Sequence, residues 1–231
     1  MDADGTLRIM PLTSFSHITR DPLIQKHIAV LGEAVDQVGG PQIRNIGTIG
    51  GNTCNGVTSA DSASTLFAWD AVMEITGPQG VRQVPIQQFY IKAGQVALQH
   101  NELETAILIK KESYEGYRGH YIKYAMRNAM DIATCGCSVN VKLSADKKYI
   151  EDVRIAYGVA GPIPMRAPSA EAAAKGKPVS METVEAFGEA ALQDVNPRTS
   201  WRATKEFRLH LTRELAMRAL KESILRSGGA L

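Results

Sequence analysis

The stretch from Gln42 to Asp61 constrains this chain most strongly, because it combines four glycines with asparagines and small hydroxyl side chains. The glycines are Gly47, Gly50, Gly51 and Gly56. Glycine has no Cβ, so the backbone can approach a bulky polar ligand closely. Successive backbone N–H groups in such a turn also form a concavity that binds anions. We therefore predict a loop that wraps a phosphate, although an ordinary glycine-rich connection explains the composition equally well.

The spacing of these glycines excludes the two common nucleotide motifs. It reads G-x-x-G-G-N, which is neither the G-x-G-x-x-G of dinucleotide-binding folds nor a P-loop ending in G-K-S/T. The five histidines show no metal-ligand spacing, and no G-x-S-x-G nucleophile motif is present. The sequence therefore gives no catalytic residue and no metal ligand.

Composition limits the class of protein and its partners. A formal charge of +2 without any basic block gives no reason to expect nucleic acid as a partner. No apolar run approaches the ~20 residues that a membrane-spanning helix needs, and the N-terminus does not resemble a signal peptide. Three cysteines, Cys54, Cys135 and Cys137, are too few for an iron–sulfur cluster and unlike a disulfide scaffold. We expect Cys135 and Cys137 to be buried thiols in a cytoplasmic protein.

Periodicity and turn residues predict the elements of the first half. We expect a helix from Pro22 to Val38, capped by Asp21 and ended by Gly39 and Gly40. A short helix is expected over 61–71, a hairpin over 71–85 and a strand over 106–110. The turn at Asp4 and Gly5 has only three residues before it, so we expect that its first strand is missing.

The second half reads as strands followed by helices. Val139, Val141 and Leu143 alternate with polar residues, and a second strand over 153–157 does the same, which predicts an antiparallel pair. Helices are expected over 167–175, 181–192 and 205–226. This pattern indicates an α+β fold with two domains, residues 1–112 and residues 113–231.

Two sets of charged residues stand out in this half. Arg127 and Asp131 are four residues apart, a spacing at which they can form an ion pair. A cluster before and within the last predicted helix is assigned to packing or subunit contacts; it comprises Arg198, Ser200, Trp201, Arg202, Glu206 and Arg208.

Four segments in a fixed order resemble one protein family. They read IGTIGGNTCNG followed by SAD, then HYIKYAMRNAMDIATCGCSV, RIAYGVAGPIPMRA and PRTSWRATKEFRLHL. Together they are similar to the flavoprotein subunits of molybdenum hydroxylases, which include xanthine dehydrogenase and carbon monoxide dehydrogenase. The bacterial xanthine dehydrogenase members are the most similar. The resemblance covers the chain from about Pro41 onward.

The resemblance implies a fold and a cofactor. It implies an FAD-binding, PCMH-type α/β subdomain whose first half is missing here, because relatives begin with another α/β unit that carries a first glycine-rich FAD loop. A small domain of antiparallel strands and helices follows. The residues it assigns to FAD are Thr48, Ile49, Gly50, Gly51, Asn52, Thr53, Asn55, Asp61 and Lys123. By the same resemblance, Asp61 contacts the ribose region and Lys123 lies by the flavin ring.

The resemblance also implies a function. The chain would be an electron-transfer subunit, with one partner that binds molybdopterin and oxidises xanthine or a related purine. A second partner would carry two 2Fe–2S clusters, and the FAD would reduce NAD. Two alternatives stay open: a non-catalytic interaction module that has lost FAD with the first loop, and a binder of some other anionic ligand.

Overall fold

Ten strands and eleven helices make up the computed structural model, which describes residues 1–231. The strands are β1 (Leu7–Ile9), β2 (Val72–Gly77), β3 (Gly80–Pro85), β4 (Tyr90–Lys92), β5 (Gln95–Val96), β6 (Leu103–Ile109), β7 (Arg118–Tyr124), β8 (Cys135–Leu143), β9 (Ile150–Gly158) and β10 (Met165–Arg166). The helices are α1 (Phe15–Arg20), α2 (Pro22–His27), α3 (Ala29–Val35), α4 (Pro41–Ile46), α5 (Ile49–Cys54), α6 (Asp61–Ala68), α7 (Ile86–Phe89), α8 (Lys111–Tyr114), α9 (Pro168–Ala174), α10 (Met181–Ala191) and α11 (Lys205–Arg226). This is the α+β fold that the sequence predicts.

The first sheet is antiparallel and has the strand order β1-β6-β2-β3. The predicted hairpin is confirmed, since β2 and β3 pair up to Gly77 opposite Gly80, and Gly80 has a φ of +108° that favours glycine. No strand precedes the turn at Asp4 and Gly5 in the structure. Strand β1 pairs with β6, with Leu7 opposite Ile109, so a strand from much later in the chain satisfies its backbone.

The predicted helix over residues 22–38 is two helices, α2 and α3. Asp21 caps α2 as expected, because its carboxylate accepts hydrogen bonds from the amides of Leu23 and Ile24. Ile28 breaks the helix with a φ of −139° and a ψ of 44°, and its side chain is fully buried. Burial of this β-branched residue in the first core, the cluster that also holds Leu31, Phe67 and Ile107, outweighs the helical periodicity of the sequence.

The second sheet has the strand order β10-β9-β8-β7, also antiparallel throughout. Val139 and Val141 pack against α11 in the second core, the buried cluster that also holds Phe187 of α10 and Leu215 of α11, as the alternation predicts. The opposite face of β8 and β9 packs against α6, so nearly every residue of β8 is buried. Helix α6 therefore covers this face of the second sheet, and all eight of its residues are buried.

The predicted buried thiols are confirmed. Cys135 and Cys137 lie on one face of β8, fully buried, and no disulfide is present. Burial raises the pKa of the Cys135 thiol to about 12, which makes it a poor nucleophile at neutral pH. None of the helices is both long and apolar enough to cross a bilayer.

Candidate functional site

The glycine-rich stretch forms two short helices, α4 and α5, and the prediction of an irregular loop is wrong in this respect. Pro41 occupies the first position of α4, where a missing N–H costs nothing. Thr48 caps α5, because its hydroxyl accepts a hydrogen bond from the amide of Gly51 at 3.1 Å. Short capped helices therefore organise a segment whose composition is typical of a loop.

The inner face of α5 is closely packed. A Cβ built on Gly50 would lie 2.7 Å from the Cα and 2.8 Å from the carbonyl oxygen of Pro11, so only glycine fits there. The amides of Ile49 and Gly50 already donate to the carbonyls of Thr13 and Pro11. The side chain of Ile49 is fully buried in the first core, and Gly50 has none. Ile49 and Gly50 therefore present no side chain to a ligand.

The outer face of α5 carries the residues that are open to solvent. A Cβ on Gly51 would meet only the Thr48 hydroxyl oxygen, at 3.0 Å, so the surface is clear at this point. Thr48 and Asn52 are partly exposed and Asn55 is exposed. The side-chain amide groups of Asn52 and Asn55 donate to no other residue, and the hydrogen of the Thr48 hydroxyl is also uncommitted, so this face offers donors to a ligand.

Asn52 links α5 to the next helix. Its amide oxygen accepts a hydrogen bond from the buried Ser62 hydroxyl at 2.6 Å. Ser62 follows Asp61, the first residue of α6. The predicted FAD residues of α5 and the predicted Asp61 therefore lie next to each other. The N-cap of α6 is Ala60, and Asp61 therefore does not cap this helix with its side chain. Its carboxylate does lie in the first turn, where the helix dipole favours negative charge.

Asp61 and Lys123 form a buried ion pair at the N-terminus of α6. Their side chains are only 6% and 8% exposed, and the lysine Nζ lies 2.8 Å from the carboxylate. The Tyr121 hydroxyl donates to the second carboxylate oxygen at 2.7 Å, and Lys123 also donates to the carbonyl of Gln37 at 3.0 Å. Burial raises the pKa of Asp61, although the ammonium and the phenol oppose that rise. The pair therefore fixes strand β7 to α6.

A cleft of about 320 Å³ opens beside Lys123. Its lining residues are Gln37, Lys123, Tyr124, Ala125, Arg127, Asn128, Ala129, Met130 and Asp131. The predicted ion pair between Arg127 and Asp131 is wrong. The Asp131 carboxylate accepts hydrogen bonds from the amides of Met126 and Arg127, while the guanidinium donates to the carbonyl of Met130. These bonds shape the connection between β7 and β8 as a turn over the cleft.

The charged cluster near the last helix has a packing role. Arg208 is buried and donates hydrogen bonds to the carbonyl of Thr134 and to the Ser200 hydroxyl, the latter at 2.9 Å. Glu206 is exposed and forms no ion pair. Trp201 is 77% exposed, with the Arg202 guanidinium 4.1 Å above its ring. Arg208 thus anchors the end of the turn that covers the cleft.

Three residues of this region do not stand out in the sequence. The Tyr121 hydroxyl contacts Asp61 and the Gln37 carbonyl contacts Lys123, and the sequence assigns a role to neither, although Tyr121 lies in one of the family segments. Glu104 contacts the buried hydroxyl of Thr53, so Thr53 also points away from the outer face of α5. Simple strand alternation does not reveal Glu104, because the pairing of β2 with β6 shifts register between Glu74 and Ile75, so that Glu104 lies opposite the buried Ile75 and Ala106 lies opposite Glu74.

Two family models match this chain and together cover most of it. Residues 1–110 match the FAD binding domain in molybdopterin dehydrogenase, and residues 120–223 match the CO dehydrogenase flavoprotein C-terminal domain. The chain is 44% identical to the xanthine dehydrogenase FAD-binding subunit of Escherichia coli O157:H7, over 99% of this chain and 77% of that relative.

More distant relatives match the chain as well. The nicotinate dehydrogenase FAD-subunit of Eubacterium barkeri is 32% identical over 79% of this chain and 62% of its own length. A solved structure of carbon monoxide dehydrogenase from Hydrogenophaga pseudoflava, which lacks the Mo-pyranopterin moiety of the molybdenum cofactor, superposes with a TM-score of 0.91 at 28% identity. That superposition covers 98% of this chain and 77% of that one.

Proposed function

Because this chain belongs to the FAD-binding subunits of xanthine dehydrogenase-like molybdenum hydroxylases, we propose that it passes electrons from iron–sulfur clusters through FAD to NAD. It is an oxidoreductase subunit, and its cofactor is FAD. The bound flavin supplies the redox chemistry, so the chain itself needs no acid–base catalyst. Its residues have to bind the cofactor, orient it and set the charge around it.

One observation carries the placement of FAD, namely a series of neighbouring polar groups that is open to solvent on α5 and buried on α6 and β7. It begins at the open face of α5 with Gly51 and Asn52, continues through Ser62 and Asp61, and ends at Lys123 beside the cleft. A dinucleotide is long and carries a pyrophosphate in its middle. It therefore requires hydrogen-bond donors at several places along its length, as the groups from α5 to the cleft provide. The donors present on α5 and the ammonium at the cleft fit a ligand of that chemistry.

We assign the predicted site residues in three groups. Thr48, Gly51, Asn52 and Asn55 are proposed to contact the cofactor, because they line the open face of α5. Ile49, Gly50 and Thr53 are proposed to hold α5 in place from the inside. Lys123 is proposed to present its ammonium to the cofactor at the cleft, and Asp61 to hold that ammonium in place from behind.

The proposed partners are a molybdopterin-binding subunit and a 2Fe–2S subunit, with xanthine or a related purine as the oxidised substrate. Support comes from the 44% identity to a xanthine dehydrogenase subunit. The alternative of an interaction module without flavin is not favoured, since a model of an FAD binding domain matches residues 1–110. A general anion binder has no observation in its favour beyond the glycine composition.

Gly51→Val is expected to remove most of the bound flavin while the fold is retained. The new side chain would project from the open face of α5, where it meets only the Thr48 hydroxyl within the protein. The measurement is the visible flavin absorption per mole of purified protein, with the released flavin identified by chromatography. Ala186→Val, on an exposed position of α10, is the matched control and keeps its flavin. Equal flavin content in both variants would contradict the placement of the cofactor.

NADH is expected to bleach the flavin absorption of the holoprotein under anaerobic conditions. The chain would be purified together with the subunits expressed from the same genome, and dithionite would provide the fully reduced reference. Bleaching by NADH to the dithionite level supports NAD as the acceptor, because flavin and nicotinamide exchange hydride in both directions. If dithionite bleaches the flavin and NADH does not, another acceptor is used, and the assignment of FAD is unaffected.

A further inference from the structure

A buried acid lies directly behind the helix that carries the proposed FAD contacts. Glu104 on β6 is 7% exposed, and its carboxyl group faces the inner side of α5. It lies 3.0 Å from the hydroxyl oxygen of Thr53 and 3.4 Å from the thiol of Cys54. The cofactor site as proposed does not include this residue, so its burial requires a separate explanation.

The hydrogen bonds of Thr53 allow two arrangements that depend on one proton. The hydroxyl lies within hydrogen-bond distance of the Gly50 carbonyl at 3.0 Å and of the Ile49 carbonyl at 3.1 Å, as well as of Glu104. It has only one hydrogen to donate. If Glu104 is protonated, its O–H donates to Thr53, and Thr53 donates to the backbone of α5. If Glu104 is ionised, Thr53 donates to the carboxylate and that backbone bond is lost.

No cation compensates an ionised Glu104. The titratable groups that face it are the Cys54 thiol of α5 and the buried Tyr90 phenol of β4, and both are neutral at neutral pH. The charged residues of the neighbouring strand positions pair with one another at more exposed sites: Glu74 with Arg8 and Glu102 with Arg82. Burial accordingly raises the pKa of Glu104 to about 7, although hydrogen bonds from Thr53 and Cys54 oppose the rise.

We propose that Glu104 is a positioning residue whose bound proton holds α5 in the geometry that binds FAD. The inference rests on the proposed placement of FAD at this helix. Ionisation withdraws the Thr53 hydroxyl from the backbone at Gly50, next to the open face at Gly51, and adds a negative charge behind a site for an anionic ligand. Both effects weaken the binding of FAD. Binding of FAD and binding of the proton to Glu104 therefore reinforce each other.

The direction of the pH dependence follows from linkage. The pKa of Glu104 is raised on folding, so the folded chain holds the proton more tightly than the unfolded chain. Its contribution to stability is fully present below the ordinary glutamate pKa and is lost as the pH rises through about 7. FAD affinity is expected to fall over the upper part of the same window, by at most about tenfold per pH unit for a single linked proton.

The test compares the holoprotein with Glu104→Gln, which keeps a neutral group of the same shape. FAD dissociation is followed between pH 6 and pH 8 by the fluorescence of the released flavin on dilution. The wild type is expected to lose affinity severalfold over this range, and Glu104→Gln to show little change. Glu185→Gln, an exposed acid on α10 without an ion pair, is the control and keeps the wild-type pH profile.

The outcomes separate this inference from the proposed site. If Glu104→Gln loses FAD with the wild-type pH profile, the role of Glu104 is overturned while Gly51→Val still tests the placement. If Gly51→Val keeps its flavin, the placement of FAD fails. Urea unfolding from pH 5 to pH 8 then tests Glu104 alone, because the variant should lose the fall in stability with rising pH. A variant whose stability follows the wild-type pH profile overturns the inference independently of FAD.

Discussion

Asp61→Ala is expected to lower the free energy of unfolding by about 3–5 kcal/mol, the cost of leaving one charge of a buried pair without its partner. The substitution leaves the ammonium of Lys123 buried, with the Gln37 carbonyl as its one remaining partner. It also leaves the Tyr121 hydroxyl without an acceptor. Urea unfolding followed by circular dichroism measures this change.

The double variant Asp61→Ala/Lys123→Met is expected to recover part of this loss, by about 1–3 kcal/mol for two residues in direct contact. Burial already raises the pKa of Asp61 against the pull of the lysine, so the cost of desolvation offsets much of the attraction. The comparison is Glu189→Ala, which breaks an exposed pair with Arg213 and should cost less than ~1 kcal/mol. A cost for Asp61→Ala as small as that of Glu189→Ala would contradict a structural role for the ion pair.

Gly50→Ala is expected to destabilise the chain by about 1–3 kcal/mol and to release the flavin, because the added methyl group overlaps its neighbours. The atoms it meets belong to the backbone of Pro11, at 2.7 and 2.8 Å, and backbone cannot rotate out of the way as a side chain can. The helix α5 would have to move outward, and the hydrogen bond from the Gly50 amide to Pro11 would lengthen.

Gly51→Ala is the matched control one residue further on. Its methyl group meets only the Thr48 hydroxyl, and alanine favours a helix over glycine by up to ~1 kcal/mol. Thermal unfolding of both variants should therefore give a melting temperature well below the wild type for Gly50→Ala and close to it for Gly51→Ala. Equal melting temperatures would show that α5 moves freely relative to Pro11.

The sequence predicts those parts of the fold that depend on local patterns. The last helix has the predicted bounds, Lys205–Arg226, because its apolar residues repeat regularly and Thr204 caps it. The hairpin of β2 and β3 is predicted by its glycine turn. The two short helices α4 and α5 are not predicted, since glycine and asparagine have low helix propensity. Tertiary packing decides their structure: α4 packs against α1, and the amides of α5 donate to the carbonyls of Pro11 and Thr13.

Contacts between distant residues explain most of what the sequence does not show about the site. Asp61 and Lys123 each attract attention in the sequence, but nothing in the intervening chain indicates that they form a pair. Glu104 is hidden for a different reason. A single acid in a strand is usually exposed, and only the position of α5 over β6 makes it buried.

The position of α6 has a consequence for how proteins of this type can be recombined. This helix belongs in sequence to the first predicted domain, yet it packs against β8 and β9 of the second, and Tyr121 on β7 donates a hydrogen bond to its first residue, Asp61. An exchange of the C-terminal unit between two relatives would join a helix and a sheet that have not adapted to each other. Chimeras are therefore expected to succeed only when the residues of α6 are transferred together with β7, β8 and β9, and inheritance of the two units as one block is the outcome that this packing favours.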